Sequence, residues 1–341
     1  MNTTQPHIQK PLPGPFVHGS QYTRQIMWDV ALALAPASVC ACYFFGLAAF
    51  LTIVLCVVSS LVFEAATDLF LGRKIRISDG SAFVTGLLFA FNLPAQAAPW
   101  YVCVMGSFIA IVVVKAFFGG LGKNIFNPAL VARLVCMAIF PVALSSFGAP
   151  VHSFALLDGI AAATPLSILK TDGAHTLVTG FGTIQSLYHH LLIGDHAGSL
   201  GETSIVALFI GGVYLLIRKI ISWHIPVAMI ATVGIVAAGA GFCGVQSGVP
   251  IIHMLSGGLF LGAFFMATDY VTAPVYPIGK IIFGIGCGLL IMVIRLWGTY
   301  PEGCMFAILA MNIVVPLIDR NTVPRRFGSS TAHTHTRATL Q

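Results

Sequence analysis

Long apolar runs with very few charges are the feature that most restricts the fold of this 341-residue chain. Only 8% of its residues are charged and 57% are hydrophobic, whereas a soluble domain carries roughly 25% charged residues. The chain cannot cover a water-facing exterior, so we predict an integral membrane protein. Continuous apolar runs favour spanning helices over the short alternating strands of an outer-membrane barrel.

The apolar runs predict an all-α polytopic membrane protein with about ten transmembrane helices, because each span needs roughly 20 apolar residues. The predicted spans are 26–46, 48–71, 81–97, 99–117, 127–146, 202–217, 223–243, 251–268, 279–297 and 303–319. The predicted domains are a cytoplasmic N-terminal arm (1–25), a first five-helix repeat (26–146), a periplasmic-side loop (147–200), a second five-helix repeat (201–319) and a cytoplasmic C-terminal tail (320–341).

The division into two sets of five spans predicts inverted repeats. Five is an odd number, so two homologous halves lie in opposite orientations, as in many transport folds. The segments 80–89 and 256–265 occupy corresponding positions and are both rich in small residues. Such segments favour broken helices that meet at a central site. The same glycines are also explained by close helix packing, so both interpretations stay open.

The positions of lysine and arginine predict the topology, because cytoplasmic loops carry an excess of both. Most of them fall on one side of the predicted membrane: Lys10, Arg24, Arg73, Lys74, Arg76, Lys115, Lys123, Arg218, Lys219, Lys280, Arg320, Arg325, Arg326 and Arg337. Only Lys170 falls in the opposite loop. We therefore predict a multi-pass protein of the inner (cytoplasmic) membrane with both termini in the cytoplasm. The basic residues form no stripe, so the net charge of +6 does not indicate nucleic-acid binding.

Ionisable residues inside spans are candidates for ion or proton binding. Glu64 and Asp68 lie one helical turn apart and share a face. They either exchange a proton or hold a sodium ion, or they pair with Arg73 and Lys74, and the pairing is slightly favoured. Asp29 and Asp269 are similar cases at span edges.

Arg133 and Arg295 also lie inside predicted spans. Their side chains either reach carboxylates or phosphate, or extend to the membrane surface. His189, His190 and His196, near Asp195, lack helical metal-ligand spacing, so we predict that they lie on the surface and that the chain has no metal site.

Two further absences concern redox chemistry. None of the eight cysteines forms a C-x-x-C pair, so we predict that they are buried small hydrophobic residues. The sequence also contains no dinucleotide-binding fingerprint and no iron–sulfur cysteine set. Any NAD or cluster chemistry is therefore assigned to partner proteins.

The stretch from Gly119 to Asn127 permits two interpretations. Its glycines allow a backbone to approach a ligand closely, and Lys123 and Asn124 could bind an anion or the edge of a flavin ring. The alternative is an ordinary tight turn in which Asn127-Pro128 begins a helix. The two interpretations have about equal weight.

The loop between the halves contains the most informative string, Asp158 to Ser167. Pro165 biases Thr164 towards an extended conformation, which presents the threonine hydroxyl on a segment of small residues. From physical chemistry alone, such a threonine is more often a helix cap or a turn former than a modified residue.

The string from Asp158 to Leu166 resembles the flavin-attachment segment of two related proteins. They are RnfD, a membrane subunit of the Rnf ion-translocating ferredoxin:NAD oxidoreductase complex, and NqrB, its relative in the sodium-translocating NADH:quinone reductase. The resemblance extends over nearly the whole chain, in segments 6–8, 26–30, 33–36, 79–88, 119–129, 267–274 and 301–303. It implies FMN joined to Thr164 by a phosphoester. It also implies that the surrounding site residues are Asp158, Gly159, Ala163, Pro165 and Leu166.

The resemblance further implies a flavin-bearing subunit of a redox-driven ion-translocating electron transport complex, not catalytically complete alone. We assign no catalytic residue within the chain itself. The implied partners are the other membrane and peripheral subunits, a flavin transferase for maturation and the lipid bilayer. The alternatives are a non-redox secondary transporter or channel, and a structural anchor for redox subunits. The choice between Na⁺ and H⁺, the direction of electron flow and a second, noncovalent flavin such as riboflavin stay open.

Overall fold

The computed structural model describes residues 23–324, except residues 74, 76, 95–97, 121, 153–161, 203 and 246. Most of the predicted N-terminal arm, most of the C-terminal tail, and Asp158 and Gly159 lie outside these residues. The described part of the chain consists of helices, turns and one isolated antiparallel bridge between Pro94 and Ser199. The predicted all-α polytopic fold class is confirmed.

The first half contains helices at all five predicted spans. Helix α1 (Thr23–Phe70) covers the first two spans and is interrupted at Gly46, whose φ of 66° and ψ of −145° suit a residue without a Cβ atom. The others are α2 (Ser81–Phe91), α3 (Trp100–Phe108) with its π-helical continuation Ile109–Ala116, α4 (Pro128–Ile139) and α5 (Pro141–Ser145).

The connection between the halves contains three short helices. They are α6 (Pro165–Thr171), α7 (Gly173–Gly180) and α8 (Ile184–Ile193). Their apolar faces form a small core separate from the main one, made of Leu166, Leu169, Leu177, Leu187, Leu191 and Ile252. Ile252 belongs to the second half, so this core fixes the connection onto that half.

The second half also has helices at its five predicted spans. Four of them are α9 (Ile205–Ile217), α10 (His224–Phe242), α13 (Pro277–Trp297) and α14 (Cys304–Thr322). The eighth predicted span consists of α11 (Pro250–Leu255), α12 (Leu259–Leu261) and the π-helical continuation Gly262–Met266. The break between α11 and α12 contains Gly257 and Gly258, which have φ values of 72° and 62°. The helix of the eighth span is therefore broken, as its glycines predict.

The outer surface of the protein suits a lipid environment. Helices α1, α10, α13 and α14 are long and apolar enough to cross a membrane, and α2, α3 with its continuation, α4 and α9 are shorter apolar helices. Large apolar side chains such as Phe70, Ile217 and Phe242 are exposed around these helices. An exposed apolar surface of this extent marks a membrane-facing protein. The inverted orientation of the two halves stays a prediction.

Candidate functional site

A cavity of about 270 Å³ lies where the short helix of the first half and the broken helix of the second half end. Asn92, directly after α2, and Arg133 of α4 line it from the first half. Gly257, Gly258 and Glu302 line it from the second half. The two discontinuous helices thus meet at one central site, which agrees with the broken-helix interpretation of the sequence.

Thr164 lines this cavity from the connection between the halves. Its φ of −70° and ψ of 152° are extended, as Pro165 predicts, and α6 begins at that proline. The Thr164 hydroxyl accepts a hydrogen bond from the Ser167 backbone N–H at 3.3 Å, so the residue caps α6. Thr164 therefore both caps the N-terminus of α6 and forms part of the cavity wall.

The burial of Thr164 differs from the exposed segment that the sequence suggests. Thr164 is only 3% exposed, and Pro165 and Leu166 are also buried, while Ala163 is exposed and lines the cavity. The difference arises because Leu166 packs into the small core of the connection and lies against the break at Gly257. Thr164 therefore lines the cavity and is shielded from the aqueous surface.

Arg133 supplies a positive charge to the cavity wall. Its Nη2 lies 2.7 Å from Glu302 Oε2, and its Nη1 donates to Asn92 Oδ1 at 3.3 Å. The Arg133 side chain is 10% exposed. Of the two alternatives from the sequence, contact with a carboxylate is confirmed and extension to the membrane surface is wrong, because the partners lie inside the helix bundle.

Arg295 holds the break between α11 and α12. Its guanidinium donates to the backbone carbonyl oxygens of His253, Ser256 and Gly257 at 2.5, 2.8 and 3.2 Å. These are carbonyl groups that the end of α11 leaves without helical partners. Arg295 is buried, so extension to the membrane surface is wrong here too.

Lys170, the one lysine in the loop opposite the other basic residues, has a local structural role. Its Nζ donates to the carbonyl oxygens of Gly298, of Tyr300 at 3.2 Å and of Ile294 at 3.5 Å, at the C-terminal end of α13. A cation at this position satisfies unpaired carbonyl groups and the negative end of the helix dipole. Burial lowers the pKa of Lys170. The contact ties α6, and with it Thr164, to the second half.

A second group of polar residues lies away from the Thr164 cavity. Glu64 pairs with Lys115, which also donates to Ser81 Oγ at 2.6 Å. The Glu64 partner is therefore Lys115 and not Arg73, because the π-helical segment turns the lysine inwards. Among the other edge residues, Asp29 pairs with Arg218 at 2.9 Å.

Asp269 stays within its own turn. It accepts hydrogen bonds from the Val271 N–H at 3.5 Å and the Thr272 hydroxyl at 3.4 Å. It also lines a smaller cavity of about 80 Å³, together with Lys115 and Asn124.

The stretch from Gly119 to Asn127 forms the tight turn of the second interpretation. Asn127 accepts hydrogen bonds from the N–H groups of Ala129 and Leu130 at 3.1 and 3.5 Å, and Pro128 is the first residue of α4. The predicted Asn-Pro helix start is confirmed. Asn124 is buried and its Oδ1 has no hydrogen-bond partner among the described residues, so binding of an anion or a flavin edge stays a prediction.

The histidines divide between surface and interior. His189 is exposed, and His190 and His152 contact Asp195 at 3.3 and 2.9 Å. His196 is only 4% exposed, so its predicted surface position is wrong. Burial lowers the pKa of His196. The part of the chain that the structure describes contains no cluster of three metal-ligating side chains.

The cysteines are all free thiols. Five are buried, as predicted: Cys56, Cys103, Cys136, Cys287 and Cys304. Cys40 and Cys42 are partly buried, and Cys243 is exposed, which contradicts the prediction at that position.

Glu202 and Glu302 are cavity residues that the sequence did not indicate as site residues. Glu202 is buried beside Ser199 and lines the cavity with Glu302. An acidic residue at the edge of a predicted span was the available signal.

The chain matches the NQR2, RnfD, RnfE family over residues 12–328. It belongs to this family. A subunit of the proton-translocating ferredoxin:NAD(+) oxidoreductase complex of Clostridium ljungdahlii is 45% identical over 92% of this chain and 95% of the relative. Its counterpart in the Na(+)-translocating complex of Acetobacterium woodii is 44% identical over 92% and 93%. The corresponding ion-translocating oxidoreductase complex protein of Stutzerimonas stutzeri is 41% identical over 89% and 92%.

These relatives of the NQR2, RnfD, RnfE family are named as subunits of ion-translocating oxidoreductase complexes. The resemblance to RnfD is confirmed, and so is the prediction of a subunit of such an enzyme complex. One of these relatives is named as translocating protons and another as translocating Na⁺. The choice of ion therefore varies among relatives of nearly equal identity.

Proposed function

We propose that this protein carries FMN covalently, through a phosphoester on Thr164, in a redox-driven complex that translocates Na⁺ or H⁺. The observation that carries the proposal is the position of Thr164 on the wall of a central cavity that the cationic side chain of Arg133 also lines. When bound, FMN supplies one- and two-electron chemistry. The chain supplies the attachment point, the pocket and its electrostatics.

The residues around Thr164 fit a flavin phosphoester. Apolar side chains suited to the ring system line the cavity: Leu130, Met137, Leu144, Phe147, Leu261 and Met266. The hydroxyl of Ser199 and the guanidinium of Arg133 provide polar groups. A largely apolar cavity with a few convergent polar groups is typical of cofactor sites, and its size approaches the lower end of their usual range of roughly 300–1,000 Å³.

Each described residue of the predicted site has a distinct role in this proposal. Pro165 holds Thr164 in an extended conformation, and Leu166 anchors the first turn of α6 in the small core. Ala163 leaves space beside the hydroxyl, because its side chain is one methyl group and it lines the cavity. Asp158 and Gly159 are proposed to complete the segment that a flavin transferase recognises.

The wider role follows from the chain's partners in the proposed complex. Electrons pass between the bound flavin and other subunits, which contribute the NAD and iron–sulfur chemistry. A change of charge in the cavity biases the conformation of the two discontinuous helices that end there. We place the protein in the inner membrane with both termini in the cytoplasm and the flavin on the periplasmic side.

Covalent flavin on a denaturing gel tests the proposal. The full chain is expressed with an active flavin transferase, and the band is examined for ultraviolet fluorescence. We expect fluorescence in the unmutated chain and none in Thr164→Val. The matched control is Thr183→Val, because Thr183 caps α8 in the same manner, accepting from the Ser186 N–H at 3.1 Å, but is exposed and does not line the cavity.

The Thr183→Val band is expected to keep full fluorescence. A dark band from the unmutated chain would contradict the proposal and favour a non-redox transporter or a structural anchor. Fluorescence that persists in Thr164→Val would place the flavin on another residue.

A further inference from the structure

Two carboxyl groups meet at the wall of the Thr164 cavity. Glu202 lies in the turn before α9, and Glu302 lies in the loop before α14. Glu202 is 6% exposed and the Glu302 side chain is 16% exposed. Both line the same cavity, and their negative charges repel each other when both groups are ionised. Ionised carboxylates only accept hydrogen bonds, so two that share one buried wall are stabilised when one takes up a proton and donates to the other.

The positive charges around the pair leave one carboxyl group without a cation. Arg133 binds Glu302 through Oε2. The other Glu302 oxygen, Oε1, is shielded from solvent and receives no N–H or O–H donor among the described residues. Within the described part of the chain, no lysine, arginine or histidine forms an ion pair with Glu202. Arg295 interacts with both carboxyl groups only at longer range, since its Nη atoms bind backbone carbonyls.

The surroundings of Glu202 leave little room for a compensating cation. A Cβ atom at Gly198 would lie 2.8 Å from Glu202 Oε2, and one at Gly258 would lie 3.5 Å from Oε1. Burial, and next the neighbouring Glu302 carboxyl, raise the pKa of Glu202 well above its ordinary value, while Arg133 and the Ser199 hydroxyl act in the opposite direction. The remaining titratable neighbour is the thiol of Cys304. Helices α1, α2 and α12 pack against this turn, and α2 and α12 contain no charged residue. Helix α1 contains Arg24, Asp29, Glu64 and Asp68, of which Asp29 pairs with Arg218 and Glu64 with Lys115.

We propose that Glu202 and Glu302 form a proton-binding site on the cavity wall and hold one proton between their carboxyl groups at neutral pH. The orphaned Oε1 of Glu302 is then the acceptor of the Glu202 O–H group. One negative charge remains on the pair, and Arg133 balances it.

This site responds to the charge in the cavity. One electron added to a group in the cavity adds one negative charge, which raises the affinity of the pair for a second proton from water. One electron and one proton then enter together, and the net charge of the cavity is unchanged. This coupling rests on the proposed flavin, whereas the resting proton does not.

Infrared absorption of the purified complex tests the resting proton. A protonated carboxylic acid has a carbonyl stretch that a carboxylate lacks, and it shifts in D₂O. We expect Glu202→Gln to lose the absorbance of one such group at neutral pH. The glutamine amide can donate to Glu302 Oε1 as the acid does, so the fold is retained. The control is Asp195→Asn, an aspartate paired with His152 at the surface, which is expected to leave the band unchanged.

The dependence of stability on pH provides a second measurement. Because the folded chain binds a proton at Glu202 that the unfolded chain releases, the unmutated protein loses stability as pH rises above the ordinary carboxyl pKa of about 4.3. Glu202→Gln removes this loss, so its unfolding temperature relative to the unmutated protein should rise with pH. An unchanged infrared band, or a difference in unfolding temperature that does not vary with pH, would overturn the proton site.

Potentiometry separates the coupling from the site. For the cavity flavin of the complex, we expect the midpoint potential of Glu202→Gln to vary less with pH than that of the unmutated protein. An unchanged pH dependence with a lost infrared band would contradict the coupling and support the resting proton. A complex without covalent flavin would contradict the proposed function, and the infrared result would still decide the proton site.

Discussion

Replacing Arg133 with methionine isolates the energetic role of the buried ion pair. The substitution removes the cation that lies 2.7 Å from Glu302 while keeping a long apolar side chain. The Glu302 side chain is only 16% exposed, so water cannot fully solvate the charge left behind. A buried, unpaired carboxylate takes up a proton instead of staying ionised.

The expected cost follows from that protonation. Protonating a carboxyl group of ordinary pKa costs about 1.4 kcal/mol for every pH unit above about 4.3. Arg133→Met should therefore lower the free energy of unfolding by about 3–4 kcal/mol at pH 7, within the range of about 3–5 kcal/mol typical of broken buried pairs. Because the folded variant binds a proton that the unfolded chain releases, the cost should fall to about 1 kcal/mol near pH 5.

Reversible unfolding in mixed detergent–SDS micelles, at both pH values, measures this cost. The double variant Arg133→Met/Glu302→Met removes the Glu302 carboxyl group together with its cation. Because no unpaired carboxyl group is left at position 302, the double variant should be less destabilised at pH 7 than Arg133→Met alone. The comparison variant is Arg218→Met, which also leaves a carboxyl group without its arginine, because the Asp29 side chain is 14% exposed. The Tyr214 hydroxyl still donates to Asp29 at 2.8 Å, so Arg218→Met should cost less than Arg133→Met at pH 7. A cost for Arg133→Met that is the same at both pH values would refute the reasoning.

Three further substitutions test the packing around the site. Gly106→Ala would place a Cβ atom 1.9 Å from Phe89 Cζ and should lower the free energy of unfolding by about 1–3 kcal/mol. The control is Gly239→Ala, whose Cβ would have no described atom within 4 Å and should not show this overpacking cost. Unfolding in mixed micelles measures both variants. Lys170→Met removes the donor to the Gly298 and Tyr300 carbonyls and should accelerate hydrogen exchange in Pro165–Thr171, with Lys280→Met as the control that leaves exchange there unchanged. Asn127→Ala removes the cap of α4 and should cost about 1 kcal/mol in the same unfolding assay, and a loss below about 0.3 kcal/mol would contradict the capping role.

The positions of the helices followed from the sequence because apolar runs and helix signals are local. The run 279–297 predicted α13, which spans Pro277–Trp297, and Asn127-Pro128 predicted the start of α4. The break at Gly257 and Gly258 was visible as a glycine-interrupted segment. These features depend on neighbouring residues, so one sequence is enough to find them.

The partners of the buried charges could not be predicted in the same way. Arg133 and Glu302 are separated by 169 positions, and Lys115 and Glu64 by 51. A pairing over such a separation depends on which helices pack together, and no local pattern reports it. The burial of Thr164 was missed for the same reason, because it depends on the contact of Leu166 with the second half.

Mass spectrometry of the Thr164 peptide from the purified complex tests the central claim most directly. We expect a peptide whose mass is increased by that of FMN less one water, with fragment ions that place the addition on Thr164. The same peptide from Thr164→Val should have its unmodified mass. If the unmutated complex, prepared with an active flavin transferase, gives the Thr164 peptide only in unmodified form, the proposed attachment of FMN to Thr164 is wrong.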